Sequence, residues 1–243
     1  LQARDGGQDE ADFSYLVGAH YDITAGTRLK AAHSRKIRFA SIKQLYAADG
    51  GNQALKAERT LHYELGVEQQ LPGATLLSLT GFVSDAKDFI EKDVNGLNTN
   101  FEDYRFQGFD VVAENRAIEN LLVRAAYSCL DSEDRSTGSQ VDELQYRPRD
   151  KFTLEGRYAF PFGLSAQASL LYVGHQFFYD ADGVDPLQKQ RLGDYTLVNA
   201  KLTQTLLEQA LDLYVGVDNI FDENYETSYG FPQAGRTVYG GLA

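Results

Sequence analysis

Leu211, Leu213, Val215 and Val217 alternate with Asp212, Tyr214, Gly216 and Asp218. A period of two places the first set on one face of a β-strand and the second on the other. The same alternation recurs along the whole chain. Phe13, Tyr15, Val17, Ala19 and Tyr21 mark a strand that ends at the tight turn Thr24-Ala25-Gly26, and residues 27–39 return carrying Arg28, Lys30, Arg35, Lys36 and Arg38. Residues 60–69, 75–86, 103–115, 121–130, 151–160, 164–178 and 195–206 repeat the pattern, and Val238, Gly240 and Leu242 mark the eleventh predicted strand. The opening LQARDGGQDEADF and the stretches 40–57, 88–100, 131–149 and 179–193 have no such period and are expected to be loops.

The connections alternate as strictly as the side chains. A few residues around Thr24, Pro72, Ile118, Phe162 and Glu208 turn the chain at one end, and stretches of a dozen residues or more connect it at the other. Short turns at one end and long loops at the other characterise outer-membrane barrels, whereas a β-sandwich mixes them.

One face of these strands is ionic. Glu64, Glu68, Asp110, Glu114, Arg124, Glu155, Arg157, Lys201 and Asp212 all fall on the side opposite the Leu, Val and Tyr positions. Burying that many charges in a dry core costs several kcal/mol for each one left unpaired. The ionic side is therefore expected to be wet and the apolar side to face something other than water. A lipid-facing wall around a hydrated lumen meets both conditions.

Composition adds exclusions. No run approaches the roughly 18 apolar residues of a membrane helix, a test to which membrane strands are blind. A net charge of -12 argues against nucleic acid as a partner. Cys129, the one cysteine, excludes an internal disulfide and falls on an apolar face, where it is expected to be filler. His20, His33, His62 and His175 are scattered, so neither a catalytic set nor a metal site is expected, and no cofactor. The Ser residues lack a nucleophile elbow. Asp131, Glu133 and Asp134 could hold calcium, but a solvated acidic loop is the expectation. Fifteen tyrosines and 14 phenylalanines without tryptophan suit an aromatic-girdled barrel and equally an ordinary all-β domain.

The C-terminal residues 210–243 carry a resemblance. Asn219-Ile220-Phe221-Asp222 follows the penultimate strand, and Gly235-Arg236 opens the last one. This arrangement resembles the C-terminal end of TonB-dependent outer-membrane receptors, and the wording YETSYGFPQAGR is most similar to vitamin B12 (corrinoid) receptors. Asn52, Leu55, Lys56 and Glu58 stand where the family has N-x-x-L-K-x-E. The resemblance implies an all-β, transmembrane, antiparallel up-and-down β-barrel, with residues 1–243 forming the C-terminal part of a barrel of about 22 strands. It also implies TonB-dependent uptake of a metal chelate, a ferric siderophore or cobalamin, across the bacterial outer membrane. No bond is made or broken in that process. The implied partners are outer-membrane lipid, the chelate, and the TonB complex acting through a plug domain that this chain does not contain. A passive porin-like wall is the alternative, and a soluble β-sandwich a third.

Ligand contacts are expected from flat amphipathic rings at loop bases. Tyr46, Tyr104, Tyr179, Tyr225, Tyr229 and Phe231 are the candidates, with Phe178 beside them. Each could equally belong to an aromatic girdle at the membrane interface. Arg236 is expected to anchor the last loop to the wall.

Overall fold

Eleven strands form one antiparallel sheet in unbroken chain order. The computed structural model describes residues 2–5, 8–93, 96–136, 143–180, 188–207 and 210–243. The strands are β1 (Gln2–Asp5), β2 (Gln8–Ala11), β3 (Tyr15–Thr24), β4 (Thr27–Arg38), β5 (Glu58–Leu71), β6 (Thr75–Lys92), β7 (Asn98–Asn115), β8 (Leu121–Asp134), β9 (Asp150–Ala159), β10 (Leu164–Gly174), β11 (Gln176–Asp180), β12 (Gln188–Leu192), β13 (Tyr195–Leu206), β14 (Leu211–Asp218) and β15 (Thr237–Leu242). The large sheet runs β3 to β10 and then β13, β14 and β15, while β1–β2 and β11–β12 are separate hairpins. A five-residue helix, α1 (Ile42–Tyr46), interrupts the first long connection.

The register sorts the residues as the alternation requires. On one face Leu79 lies opposite Val111, Val111 opposite Tyr127, and Tyr127 opposite Phe152. Leu154, Leu170 and Val198 continue that face, as do Leu202 and Val215. On the other face Glu114 lies opposite Arg124 and Arg124 opposite Glu155, with Arg157, Gln167 and Lys201 in the neighbouring row. Among the described residues no second protein layer covers the apolar side: Leu65 is 66% exposed, Val215 49% and Leu154 40%. An apolar face this extensive needs a non-aqueous neighbour, because every Å² withdrawn from water is worth about 25 cal/mol. Hydrocarbon outside and water inside satisfy both faces at once.

Aromatic rings mark the two edges of the apolar band. At the short-turn end Tyr158, Phe160 and Phe162 pack in series, with centroids 4.6 and 5.4 Å apart. At the loop end Tyr15 meets His33 at 5.3 Å, His33 stacks on Tyr63 at 4.3 Å, and Phe109 meets Tyr127 at 5.9 Å. The outer face becomes ionic immediately beyond. Arg105 donates to Asp85 at 2.6 Å, Arg135 to Glu133 at 2.7 Å, and Asp12 accepts from Arg35 at 2.6 Å and Arg59 at 2.8 Å. These two guanidinium groups hold the Asp12 carboxyl well below the usual carboxylate range, Arg35 contributing most.

Four expected loops are partly built of strands. β6 and β7 pair out to Lys92 and Asn98, so most of stretch 88–100 is a hairpin standing above the membrane. β8 continues to Asp134, and the anticipated strand 164–178 breaks at His175, whose φ of 53° turns the chain into hairpin β11–β12. The N-terminal stretch expected to be a loop contains the paired strands β1 and β2. Hydrogen bonding draws the loop ends into strands here: water on both sides removes the apolar-to-polar contrast, yet backbone groups still pair.

Candidate ligand-binding rim

The loop end is built from two blocks. In the first, the connection between β4 and β5 folds onto the tip of β6–β7. Ser41 caps α1 by accepting from the Gln44 amide at 3.2 Å, and the Gln44 side chain accepts from the Ser41 amide at 2.9 Å. Asn52 donates its side-chain amide to the Asn98 carbonyl at 2.8 Å, and the Asn98 amide donates to the Gly50 carbonyl at 3.0 Å. Lys56 and Asn100 pair reciprocally: the Lys56 amide donates to the Asn100 side chain at 2.7 Å, and that side chain donates back at 3.1 Å. Glu58, 6% exposed, receives both Arg38 guanidinium donors and the Ile90 amide at 2.8 Å. The Asn-x-x-Leu-Lys-x-Glu residues are thus a clip that fastens this loop to the neighbouring hairpin.

That block places two of the expected contact residues differently. Tyr46 ends α1 and is half exposed. Tyr104 is 3% exposed and packs 5.4 Å from Phe89. Burial first, and the nearby Glu91 carboxylate second, push its phenol far above the ordinary value. Tyr104 is part of the wall.

The second block carries the other four. Residues 143–149 run beside β11: the Tyr146 amide donates to the Phe177 carbonyl at 2.8 Å and the Arg149 amide to the His175 carbonyl at 3.1 Å. Tyr179 donates its hydroxyl to the Glu143 carbonyl at 2.8 Å. Lys189 pairs with the Glu143 carboxylate at 2.8 Å and sits 4.7 Å above the Phe177 ring. The last loop, 219–236, leans on this hairpin. Tyr229 lies flat on Phe178, with centroids 4.4 Å apart and planes 12° apart, and Tyr225 meets Tyr195 at 4.6 Å. Phe231 projects at 69% exposure.

The base of that loop explains the sequence motif. Asn219, 5% exposed with a φ of 51°, donates its side-chain amide to the Glu223 carbonyl at 2.9 Å and accepts the Glu223 amide at 2.8 Å. Asp222 accepts the Arg236 amide at 2.7 Å, and a Cβ at position 235 would meet the same carboxylate oxygen at 2.6 Å. Asn219 and Asp222 therefore close the loop, and Gly235 leaves room for it. The Arg236 guanidinium also faces Asp222 at 3.9 Å, as an anchor would.

Two further site residues carry little sequence signal. Tyr195 opens β13, and Gln176 is a polar residue among aromatic ones. Both are buried, at 9% and 3% exposure.

Below the rim, the ionic face encloses a concavity of about 540 Å³ lined by Glu114, Arg124, Glu155, Arg157, Lys201 and Tyr239, among others. Among the described residues no three His, Cys, Asp or Glu side chains are grouped to hold a metal ion. The acids considered for calcium are engaged otherwise: Asp131 with Gln107, Glu133 with Arg135, and Asp134 with the Ser136 amide.

Residues 2–220 match the family model described as "TonB dependent receptor-like, beta-barrel". Solved structures share the fold. The ferripyoverdine receptor of the outer membrane of Pseudomonas aeruginosa, bound to ferripyoverdine, superposes with a TM-score of 0.77 at 19% identity, covering 98% of this chain and 34% of its own. For the ferric-catecholate import receptor of Escherichia coli K12 the values are 0.70, 20%, 97% and 35%. For a mutant ferric enterobactin receptor of P. aeruginosa they are 0.76, 22%, 95% and 40%. The chain spans between a third and two-fifths of these structures.

Proposed function

Because this chain belongs to the TonB-dependent receptor-like β-barrel family, we propose that it forms the C-terminal part of the wall of a receptor that takes up a bulky metal chelate. The wall lies in the bacterial outer membrane, with its short turns at the periplasmic end and its long loops outside. In this reading the remaining barrel strands, about 22 in all, and the plug belong to other parts of the receptor. The TonB complex acts through that plug, and the ionic lumen face holds it.

The observation that carries the proposal is the aromatic rim above a charged, hydrated lumen. Tyr225, Tyr229 and Phe231 stand on the last loop, which packs on Phe178 and Tyr195, Tyr179 lies on the other face of β11, and Tyr46 stands exposed on the first block. Flat amphipathic rings suit a large chelate with an organic shell. We assign Tyr46, Tyr179, Tyr225, Tyr229 and Phe231 as its contacts, with Tyr104 supporting the rim from within. The receptors named above, for ferripyoverdine, ferric catecholate and ferric enterobactin, favour an iron chelate, while residues 225–236 favour a corrinoid.

Titration of the full-length protein in detergent with cobalamin and with a panel of ferric siderophores decides between them. Saturable binding of one class at micromolar concentration or below is the expected result. Absence of any saturable binding, combined with unselective solute permeation in liposomes, would make the protein a passive channel.

A further inference from the structure

Among the described residues, one buried side-chain group has no hydrogen-bond partner: the Gln176 amide nitrogen. Gln176 is 3% exposed, and a buried donor left unmet is costly enough to require a reason. Its position supplies one. On β11 the side chains alternate, so Gln176 and Phe178 share a face, with Leu192 opposite Gln176 on β12. Phe177, Tyr179, Lys189 and Arg191 occupy the other face, where Lys189 lies over Phe177 and Arg191 binds Asp194 at 2.6 Å. The Gln176 face is the one on which the last loop rests, through Tyr229 on Phe178.

The loop is braced as a unit. Its base is fastened by Asn219 and Asp222. Its tip is braced internally: the Gln233 amide donates to the Tyr225 carbonyl at 3.0 Å, the Phe231 amide to the Ser228 carbonyl at 3.0 Å, and the Gly230 amide to the Glu226 carboxylate at 3.0 Å. Among the described residues, two ring pairs join tip and floor, Tyr229 on Phe178 and Tyr225 on Tyr195. These are non-covalent ring faces, which the face of another flat ring can take over.

We propose that the tip of the last loop is a lid, and that the surface it covers, made by Phe178, Tyr195 and the unpaired Gln176 amide, is a subsite for a flat conjugated ring bearing acceptor oxygens. When the lid lifts, Phe178 offers the face that Tyr229 now covers, and Gln176 donates to the ring's oxygen. The proposal rests on the receptor reading above and adds to it where the chelate binds and which atom fixes it.

The test uses the full-length receptor in detergent, with the gallium(III) complex of 2,3-dihydroxybenzoate as probe. Gln176→Leu removes the unmet donor at similar volume. The ligand-free melting temperature is expected to hold or rise, while the probe binds about fivefold to tenfold more weakly. Tyr229→Ala loosens the lid, and both association and dissociation of the probe are expected to quicken severalfold. If Gln176→Leu lowers the melting temperature and leaves affinity intact, the amide serves the fold through a bound water and the subsite is wrong. Unchanged rates in Tyr229→Ala overturn the lid. If the unaltered receptor binds cobalamin or a siderophore but not this probe, the subsite chemistry falls and the receptor reading stands; if it binds none of them, both fall.

Discussion

Asn219 shows how much one residue at a strand end can decide. It combines a backbone conformation that few residues adopt with two hydrogen bonds from a buried side chain. Replacing it with Ala removes both bonds and strains the backbone; replacing it with Gly removes the bonds but relaxes the strain. Asn219→Ala is therefore expected to destabilise the loop base by ~2–4 kcal/mol and Asn219→Gly by about 1 kcal/mol less. Protease cleavage within residues 223–236, measured against an intact barrel band, checks the order. Asp12 makes a second prediction at this scale. Its folded-state pKa is depressed by Arg35 and Arg59, so its carboxylate stabilises the fold above the ordinary carboxylate pKa. That contribution is lost as pH falls through the depressed value. Asp12→Asn should lower the melting temperature at pH 7, and the gap from the unaltered protein should close on acidification below the ordinary carboxylate range. A gap that persists there would show that the pairing contributes through packing.

At the scale of the element, β14 and β15 are matched by a small residue facing a large one. Gly216 lies opposite Tyr239, and Tyr214 opposite Gly241. A Cβ on Gly216 would fall well inside contact distance of the Tyr239 ring. The ring thus fills the gap a strand glycine leaves on the lumen face. Gly216→Val is expected to cost about 1–3 kcal/mol by overpacking, and Gly216→Val with Tyr239→Ala to cost less than the two changes summed. Denaturant unfolding of the four proteins, read by tyrosine fluorescence, measures that coupling, and strict additivity would mean the ring swings clear.

The eleven strands were legible in the sequence because lipid and lumen impose opposite chemistry on neighbouring residues. Where that contrast ends, so did legibility. On the outer face of β6–β7 the series Leu77, Leu79, Val83 gives way to Asp85 and Lys87, and opposite them stand Arg105 and Asp103. With both faces polar a strand loses its period-two signature, so the protruding hairpin was expected to be a loop. The rim was half legible for a related reason. Aromatic side chains at loop bases were visible, but the pairing of Tyr229 with Phe178, 51 positions earlier, joins distant parts of the chain. Nothing local distinguishes Tyr104, packed into the wall, from Tyr46, half exposed on α1.

At the scale of the whole molecule, the parity of the sheet decides what it needs. Eleven strands in up-and-down order leave β3 and β15 as the two edges, and an odd count makes them run in the same direction. β3 therefore cannot close on β15 in antiparallel pairing, and neither can two copies of this sheet inserted in the membrane in the same orientation. A complementary wall must contribute an odd number of strands. Until it does, β3 exposes a full edge of unpaired N–H and C=O groups, with Leu16 and Val17 at 74% and 64% exposure beside it. Each such group left in hydrocarbon costs several kcal/mol, so an open edge within a bilayer is untenable. Residues 1–243 refolded alone in detergent are therefore expected to give no compact, heat-modifiable band in gel electrophoresis and to associate on size exclusion. Refolding the same residues with the remaining wall of the receptor should restore the band. A compact, heat-modifiable monomer from residues 1–243 alone would mean that the sheet closes in a register other than the one seen, and would remove the requirement for a second wall.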